Sequence, residues 1–160
     1  MAEVFILLGG NVGDKRKIFT ETREMINDRI GKLTKSSSIY AREPWGFDSD
    51  LFWNQALLVE TRLLPLEILD IALSIETALG RIKTSKYYEP RTMDIDLLFY
   101  DDLLFDTPRL TLPHPKIEER RFVLVPLNEI APERRHPVTG LTISELLISC
   151  NDLLKVEKLP

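Results

Sequence analysis

Hydrophobic residues along this chain of 160 residues fall into short continuous or alternating runs, with two longer runs at helical spacing between them. The short runs predict β-strands over residues 4–8, 33–41, 53–61 and 92–100, because turn-forming residues bound each of them. The longer runs predict one helix that ends at Gly31 and a second that begins at Pro65 and ends at Gly80. The predicted element order is β-α-β-β-α-β.

This order is that of the split, ferredoxin-like unit, in which two helices cover one face of an antiparallel sheet. The predicted fold class is therefore α+β, with a ferredoxin-like core and added C-terminal helices. Asp101 and Asp102 are expected to form a turn, with residues 103–105 pairing back, and a last helix is expected from about Ile143. No linker divides residues 1–160, which are expected to form a single domain.

Asp94 and Asp96 are the polar anomaly of the last predicted strand, since Asp is depleted in strands. Side chains alternate between strand faces, so both carboxylates lie on one side and Met93, Ile95 and Leu97 on the other. Their Cα atoms would be about 6.6 Å apart, which lets the carboxylates converge on one or two cations. The alternative is a half-exposed strand whose acids face water, and the aspartates alone do not decide between the two.

A basic segment precedes this strand, in a chain of net charge −4. Between Gly80 and Arg91 lie Arg81, Lys83 and Lys86 with one acid, Glu89. A solvated loop is the common explanation of such a segment, but its position directly before the aspartates favours phosphate binding. We expect the loop over residues 82–89 to be mobile without ligand and to close on a nucleotide.

Aromatic residues, including both tryptophans, are concentrated between positions 40 and 53. Beside a loop with Pro44 and Gly46, such rings can form a slot for a flat heterocycle, and Asn54 can read donors and acceptors at its edge. For Tyr40 and Trp53, packing into a secondary core explains the pattern equally well.

Two further features carry less information. Residues 9–14 form a glycine-rich segment that lacks the ending of a P-loop and does not fit the dinucleotide-binding pattern, so a tight strand-to-helix turn explains it. His114 lies between two prolines and has neighbours suited to phosphate, whereas His136 is given no such role and is expected at the surface.

Composition bounds the class of protein. With a net charge of −4 and a pI near 5.3, the chain is not expected to bind nucleic acid. No segment reads as a signal peptide or a membrane span, so no membrane partner is expected. Cys150 is the only cysteine, which indicates a reducing compartment, and we expect a cytoplasmic monomer.

Taken in order, the motifs resemble those of the 6-hydroxymethyl-7,8-dihydropterin pyrophosphokinase family. The most specific is Pro-Arg-Thr-Met-Asp-Ile-Asp-Leu-Leu at 90–98. Further matches are Leu-Gly-Gly-Asn-Val-Gly-Asp at 8–14, Glu-Pro-Trp-Gly-Phe at 43–47, Leu-Gly-Arg at 79–81, Leu-Pro-His-Pro at 112–115 and Arg-Arg-Phe-Val-Leu-Val-Pro-Leu at 120–127. The chain departs from the family pattern at Gly10, Lys83 and the pair Tyr88-Glu89, where the family usually has Ser, Arg and Trp-Gly.

The resemblance implies a role for each matching position. Two Mg²⁺ ions would be held by Asp94 and Asp96, and the catalytic arginines would be Arg81 and Arg91. The ATP site would be lined by Glu76, Lys83, Tyr88, Arg91, Leu97, Arg109, Thr111, His114 and Arg120. The pterin would be surrounded by Arg42, Glu43, Trp45, Phe52, Asn54 and Phe122, with the two phenylalanines as the stacking pair.

The implied activity is transfer of pyrophosphate from ATP to the hydroxymethyl group of the pterin, with release of AMP, in folate biosynthesis. Two other classes remain open at this point: a non-catalytic ferredoxin-like module that binds a ligand, and a different Mg-nucleotide phosphotransferase. The basic loop beside the strand aspartates argues against the first, and the aromatic slot argues against the second.

Overall fold

A computed structural model describes the protein over residues 1–43, 51–80 and 93–160. Its strands are β1 (Ala2–Gly10), β2 (Lys32–Ser36), β3 (Tyr40–Arg42), β4 (Phe52–Thr61), β5 (Asp94–Tyr100), β6 (Phe105–Asp106), β7 (Thr111–Leu112) and β8 (Glu157–Lys158). Its helices are α1 (Lys15–Arg29), α2 (Pro65–Ala78), α3 (Arg121–Ile130) and α4 (Ile143–Ser149), with a 3₁₀ turn at Ile117–Glu119.

The main sheet is antiparallel and has the strand order β5-β1-β4-β3-β8, with β2 also paired to β4. Its longest ladder joins β1 to β4 and runs from Ala2 opposite Thr61 to Gly10 opposite Trp53. Strands β6 and β7 form a separate two-stranded sheet. The central strands β1 and β4 are thus held on both edges, which fixes the register of every side chain they carry.

Helices cover both faces of the sheet. The first face packs on α1 and α2 through a core that includes Ile6, Leu8, Phe19, Ile26, Leu57, Ile68, Ile75 and Ile95. The second face packs on α3 and α4 through a core that includes Phe5, Leu7, Ala56, Leu58, Leu124, Leu127 and Leu146. The predicted α+β, ferredoxin-like class with added C-terminal helices is confirmed.

A β-bulge sets which residues of β5 face each core. Phe5 pairs with Phe99, but the next residue, Ile6, pairs with Leu97, so Leu98 is an extra residue in β5. Such an insertion locally interrupts the alternation of faces, and Leu98 and Phe99 both join the second core. The bulge lies after Asp96, so the aspartate end of the strand keeps a regular alternation.

Two element predictions are wrong in detail, and two further elements were not predicted. The strand expected over 33–41 is two strands, β2 and β3, each paired with β4. Residues 103–105 do not pair with β5; Phe105 pairs with Leu112 instead. Helix α3 was not predicted because Pro126 lies inside it, and β8 was not predicted because only its pairing with β3 defines it.

Gly31 follows α1 for a different reason from the one predicted. The helix cap is Ile30, and a Cβ at Gly31 would lie 2.1 Å from the carbonyl oxygen of Glu60. Close approach of the β4 backbone, rather than a left-handed conformation, therefore demands glycine here. Within the described ranges, no helix combines the length and the apolar character needed to cross a bilayer.

Candidate active site

Asp94 and Asp96 lie on β5 with their side chains on the second face of the sheet. Met93, Ile95 and Leu97 belong to the first core, and the regular alternation of this end of β5 puts the aspartates opposite them. Asp94 is half-buried and Asp96 is exposed. The sequence prediction that both carboxylates share one face is confirmed.

A lateral row of residues crosses four strands beside Asp94. Asp94 pairs with Gly9, Gly9 pairs with Asn54, and Asn54 pairs with Tyr40. Strands are about 4.8 Å apart, so about 10 Å separates the backbones at Asp94 and Asn54. A Cβ at Gly9 would lie 2.9 Å from Asn54 Nδ2, so this glycine gives the amide its space. Sequence reasoning assigned Gly9 to a turn and missed this role.

Glu76 holds β5 from the first face. This buried carboxylate on α2 accepts a hydrogen bond from the backbone N–H of Ile95, between the two aspartates, at 3.0 Å. A charge-assisted bond of this kind fixes the strand against the helix. The residue is therefore positioned to hold the aspartate strand in place.

One cleft brings together most of the described residues predicted to bind ATP. It has a volume of about 290 Å³, and its walls include Asp96, Leu97, Arg109, Thr111 and His114. Arg109 is also ion-paired with Asp70 of α2. An aspartate, a cation and a hydroxyl thus surround a space bounded by apolar side chains, which suits a phosphate-bearing ligand.

His114 is a neutral donor at the edge of this cleft. Burial lowers its pKa, and the nearby Arg120 lowers it further. Its Nδ1 accepts a hydrogen bond from the backbone N–H of Lys116 at 3.1 Å, which places the ring proton on Nε2. His114 therefore offers an N–H donor without a positive charge.

Phe52 and Phe122 come from different elements and form the two walls of a slot on the second face. Arg42 lies between them, with Cζ at 4.6 Å from the Phe52 ring centroid and 4.0 Å from the Phe122 ring centroid. Its Nε donates to Asn54 Oδ1 at 3.2 Å, and Asn54 Nδ2 donates to the carbonyl of Leu8 at 3.1 Å. The structure thus groups four of the residues predicted to bind the pterin.

The remaining predicted residues fall into two groups. Arg120 adjoins the slot, with Cζ 5.6 Å from the Phe122 ring centroid, and Glu43 is exposed just after β3. Outside the described residues lie Trp45, Arg81, Lys83, Tyr88 and Arg91, together with the loop over 82–89 that was expected to be mobile.

The two aromatics for which packing was an equal alternative do pack. Trp53 lies against Phe19 of the first core, with ring centroids 6.0 Å apart. Tyr40 is buried, and its hydroxyl donates to Glu129 at 2.6 Å.

The surface prediction for His136 is wrong: the ring is buried edge-on against Phe99, at 5.7 Å between centroids. It packs there because the segment after α3 folds back over the second core.

Sequence reasoning missed the contribution of the C-terminal segment. Asp152 and Leu154 line a cleft of about 550 Å³ together with Arg42, Arg120 and Phe122. Asp152 also accepts a hydrogen bond from the backbone N–H of Arg121, at the start of α3, at 3.0 Å. No sequence pattern signals this role, because only the fold brings the segment to the slot.

The available donor groups fit a magnesium ion that is held mainly by a bound nucleotide and only in part by the protein. In the described part of the chain, no group of three or more His, Cys, Asp or Glu side chains gathers that could hold a metal. Mg²⁺ usually takes only one or two protein carboxylates, with water and phosphate oxygens completing its octahedron. Two aspartates on one strand face therefore match a metal that arrives with a nucleotide.

Comparison with known proteins relates this chain to the pyrophosphokinases. The model of the 7,8-dihydro-6-hydroxymethylpterin-pyrophosphokinase (HPPK) family matches residues 5–132. The chain belongs to this family, which confirms the resemblance inferred from its motifs.

Individual relatives support the same assignment. The chain is 40% identical over 149 residues to the 2-amino-4-hydroxy-6-hydroxymethyldihydropteridine pyrophosphokinase of Methylorubrum extorquens, with 92% of each chain covered. It is 39% identical over 136 residues to the enzyme of the same name from Porphyromonas gingivalis, covering 82% of this chain and 92% of the relative.

Solved structures share the fold. A crystal structure of HPPK-DHPS from Plasmodium falciparum superposes with a TM-score of 0.76 at 17% identity, over 92% of this chain. The chain spans less than half of that longer protein, 44% of its length.

Proposed function

We propose that this protein transfers pyrophosphate from ATP to the hydroxymethyl group of 6-hydroxymethyl-7,8-dihydropterin, releasing AMP, as a step of folate biosynthesis. The observation that carries the proposal is the position of Asp94 and Asp96 on one sheet face. Asp96 lines the cleft with Arg109, Thr111 and His114, and Asp94 is level with Asn54 of the aromatic slot. A phosphate donor and a flat acceptor would meet at the aspartates.

In this reaction the hydroxymethyl oxygen attacks the β-phosphorus of ATP in line. A new bond forms between that oxygen and the β-phosphorus, the bond from the β-phosphorus to the oxygen bridging it to the α-phosphate breaks, and the hydroxyl proton passes to solvent. Rate in such a transfer comes from positioning and from charge placed where the transition state is negative. Arg81 and Arg91 are proposed to supply that charge with the aspartate-bound metal.

The cleft beside Asp96 would orient ATP, and the slot between Phe52 and Phe122 would orient the pterin. Arg109 would pair with phosphate, and His114 would donate through Nε2–H without adding charge. Phe52 and Phe122 would stack on the two faces of the pterin, while Asn54 would bond its polar edge. Asp94 and Asp96 would hold two Mg²⁺ ions, which supply electrostatic stabilisation of the phosphate oxygens. Residues 1–160 would act as a single domain; a cytoplasmic monomer that binds neither nucleic acid nor membrane stays a prediction.

Product analysis tests the reaction. The protein is incubated with Mg-ATP, with and without 6-hydroxymethyl-7,8-dihydropterin, and the nucleotides are separated. We expect AMP only when the pterin is present. Formation of ADP would indicate a different phosphotransferase, and no turnover would indicate a binding module.

Substitution of the aspartates tests the site. Asp94→Asn and Asp96→Asn are each expected to lower kcat at least 100-fold, about the effect of removing one electrostatic stabiliser. Asp28→Asn, an exposed acid on α1, is the matched control and should leave kcat unchanged. Near-normal turnover of either site variant in saturating Mg²⁺ contradicts the metal assignment.

A further inference from the structure

The space between the Phe52 and Phe122 rings is already filled by a side chain of the protein. The Arg42 guanidinium lies at 4.6 and 4.0 Å from the two ring centroids. Carbon atoms in contact lie about 3.5 to 4 Å apart, so the two rings have room for one flat group between them. A ligand stacked on both rings and the Arg42 guanidinium therefore exclude each other.

The Arg42 guanidinium also resembles one part of the expected substrate. A 2-amino-4-oxopteridine contains a planar carbon bonded to three nitrogens, as Arg42 does. Arg42 Nε donates to Asn54 Oδ1 at 3.2 Å, the kind of bond that the amino edge of a pterin would make. A planar, delocalised cation is also a good partner for aromatic faces.

We propose that Arg42 is a built-in occupant of the pterin slot, which has to swing out before the substrate stacks between Phe52 and Phe122. The inference rests on the proposed function, because it takes the slot to be the pterin site. It makes Arg42 a residue that sets pterin affinity by competition, rather than a wall of the site.

The structure offers a place for the displaced side chain. The adjoining cleft of about 550 Å³ is lined by Arg42, Arg120, Phe122 and Asp152. Asp152 attracts the Arg42 guanidinium and Arg120 repels it. The displaced guanidinium would therefore move toward the Asp152 carboxylate. Burial in the slot is the main cause that lowers the pKa of Arg42, which shows that the cation is partly desolvated there.

Competition of this kind reduces the apparent affinity by the fraction of molecules whose slot is open. Stacking of the cation on the rings should favour molecules with a filled slot over molecules with an open slot by about 5- to 30-fold. Arg42→Ala should therefore lower the Kd for 6-hydroxymethyl-7,8-dihydropterin, measured by calorimetry without ATP, by about 5- to 30-fold. Arg62→Ala, at the opposite end of β4 from Phe52, removes an exposed arginine and should leave the Kd unchanged.

Binding kinetics separate competition from a structural effect. A side-chain swing is fast compared with stopped-flow mixing, so competition should appear as a lower association rate constant for the pterin. This rate constant should be about 5- to 30-fold lower in the wild type than in Arg42→Ala, with the dissociation rate constant unchanged. Asp152→Asn keeps an oxygen for the Arg121 N–H but loses the charge, so it should weaken pterin binding, and adding Arg42→Ala should restore it.

Each outcome decides a different question. If the wild type binds the pterin and Arg42→Ala binds it equally or more weakly, Arg42 is not a competing occupant and the inference is overturned. An equal association rate constant in both proteins overturns it as well. If neither protein binds the pterin and no AMP forms, the proposed function fails and this inference fails with it.

Discussion

At the scale of single residues, the Tyr40 hydroxyl shows how a side chain next to the site serves stability. The hydroxyl donates to Glu129 Oε1 at 2.6 Å, and the other oxygen of that carboxylate accepts from the backbone N–H of Ser38 at 2.7 Å. These bonds join β3 to α3, the two elements that carry Arg42 and Phe122. Since β3 also pairs with β4, which carries Phe52, the Tyr40 hydroxyl helps to fix the position of Phe122 opposite Phe52.

This contact predicts a specific alkaline sensitivity. Burial, followed by the bond to Glu129, raises the pKa of Tyr40 to about 12. Since an unfolded tyrosine titrates near 10, the folded state favours the neutral phenol. The corresponding stability is complete below pH 10 and is lost as the pH rises from about 10 to about 12.

Tyr40→Phe should remove this component. At pH 7 the variant should lose about 1.5 to 3 kcal/mol of unfolding free energy with its hydrogen bond to the ionised Glu129 carboxylate. Between pH 10 and 12, urea denaturation should show a smaller further loss in the variant than in the wild type. Lysine titration contributes equally to both proteins. An equal loss of unfolding free energy between pH 10 and 12 in both would therefore contradict the role given to Tyr40.

At the scale of elements, the passage from α1 to β2 depends on a backbone contact. Gly31 lies against the Glu60 carbonyl, and Thr61 Oγ1 donates to the carbonyl of Ile30 at 2.6 Å. The helix end is thus pressed directly on β4. This contact sets how the first helix packs across the sheet.

Gly31→Ala is therefore expected to destabilise the protein by about 3 kcal/mol or more, because the new Cβ meets backbone that has no room to move. Gly140→Ala is the matched control. Its φ of +74° disfavours a side chain, but no atom lies within 4 Å of the new Cβ, so a loss of about 1 to 2 kcal/mol is expected. Equal losses in chemical denaturation would show that steric contact at Gly31 is not the cause.

The elements that sequence patterns predicted are those defined by their own residues. Strand β1 contains the hydrophobic run 4–8 and β4 the run 56–59, while α2 begins at Pro65 and ends shortly before Gly80. Strand β8 was missed because only a distant pairing defines it, and α3 was missed because it contains a proline. The same limit holds for the site: Asp94 and Asp96 stand out on one strand, whereas Asp152 acquires its role only when the C-terminus folds back.

At the scale of the whole molecule, the second face of the sheet is part of the core at one end and carries the candidate site at the other. Helices α3 and α4 cover it at Phe5, Leu7 and Leu58, where it is core. Two residues further along β1, the same face carries Gly9 level with Asp94 and Asn54, where it is the candidate site. A sheet packed on both sides at one end therefore carries the candidate site at the other, so ligand binding is expected to raise the stability of the whole fold.

Nucleotide binding should stabilise the protein in a metal-dependent way. A non-hydrolysable ATP analogue with Mg²⁺, at about 100 times its Kd, should add about 2.7 kcal/mol. In a chain of 160 residues this raises the melting temperature by about 5 to 10 °C. With EDTA in place of Mg²⁺ the rise should be smaller, because the aspartates then face the phosphates without a bridging cation. Asp96→Asn should lose only the metal-dependent part, while Asp28→Asn should behave as the wild type. An equal rise in Mg²⁺ and in EDTA contradicts metal-bridged binding at β5.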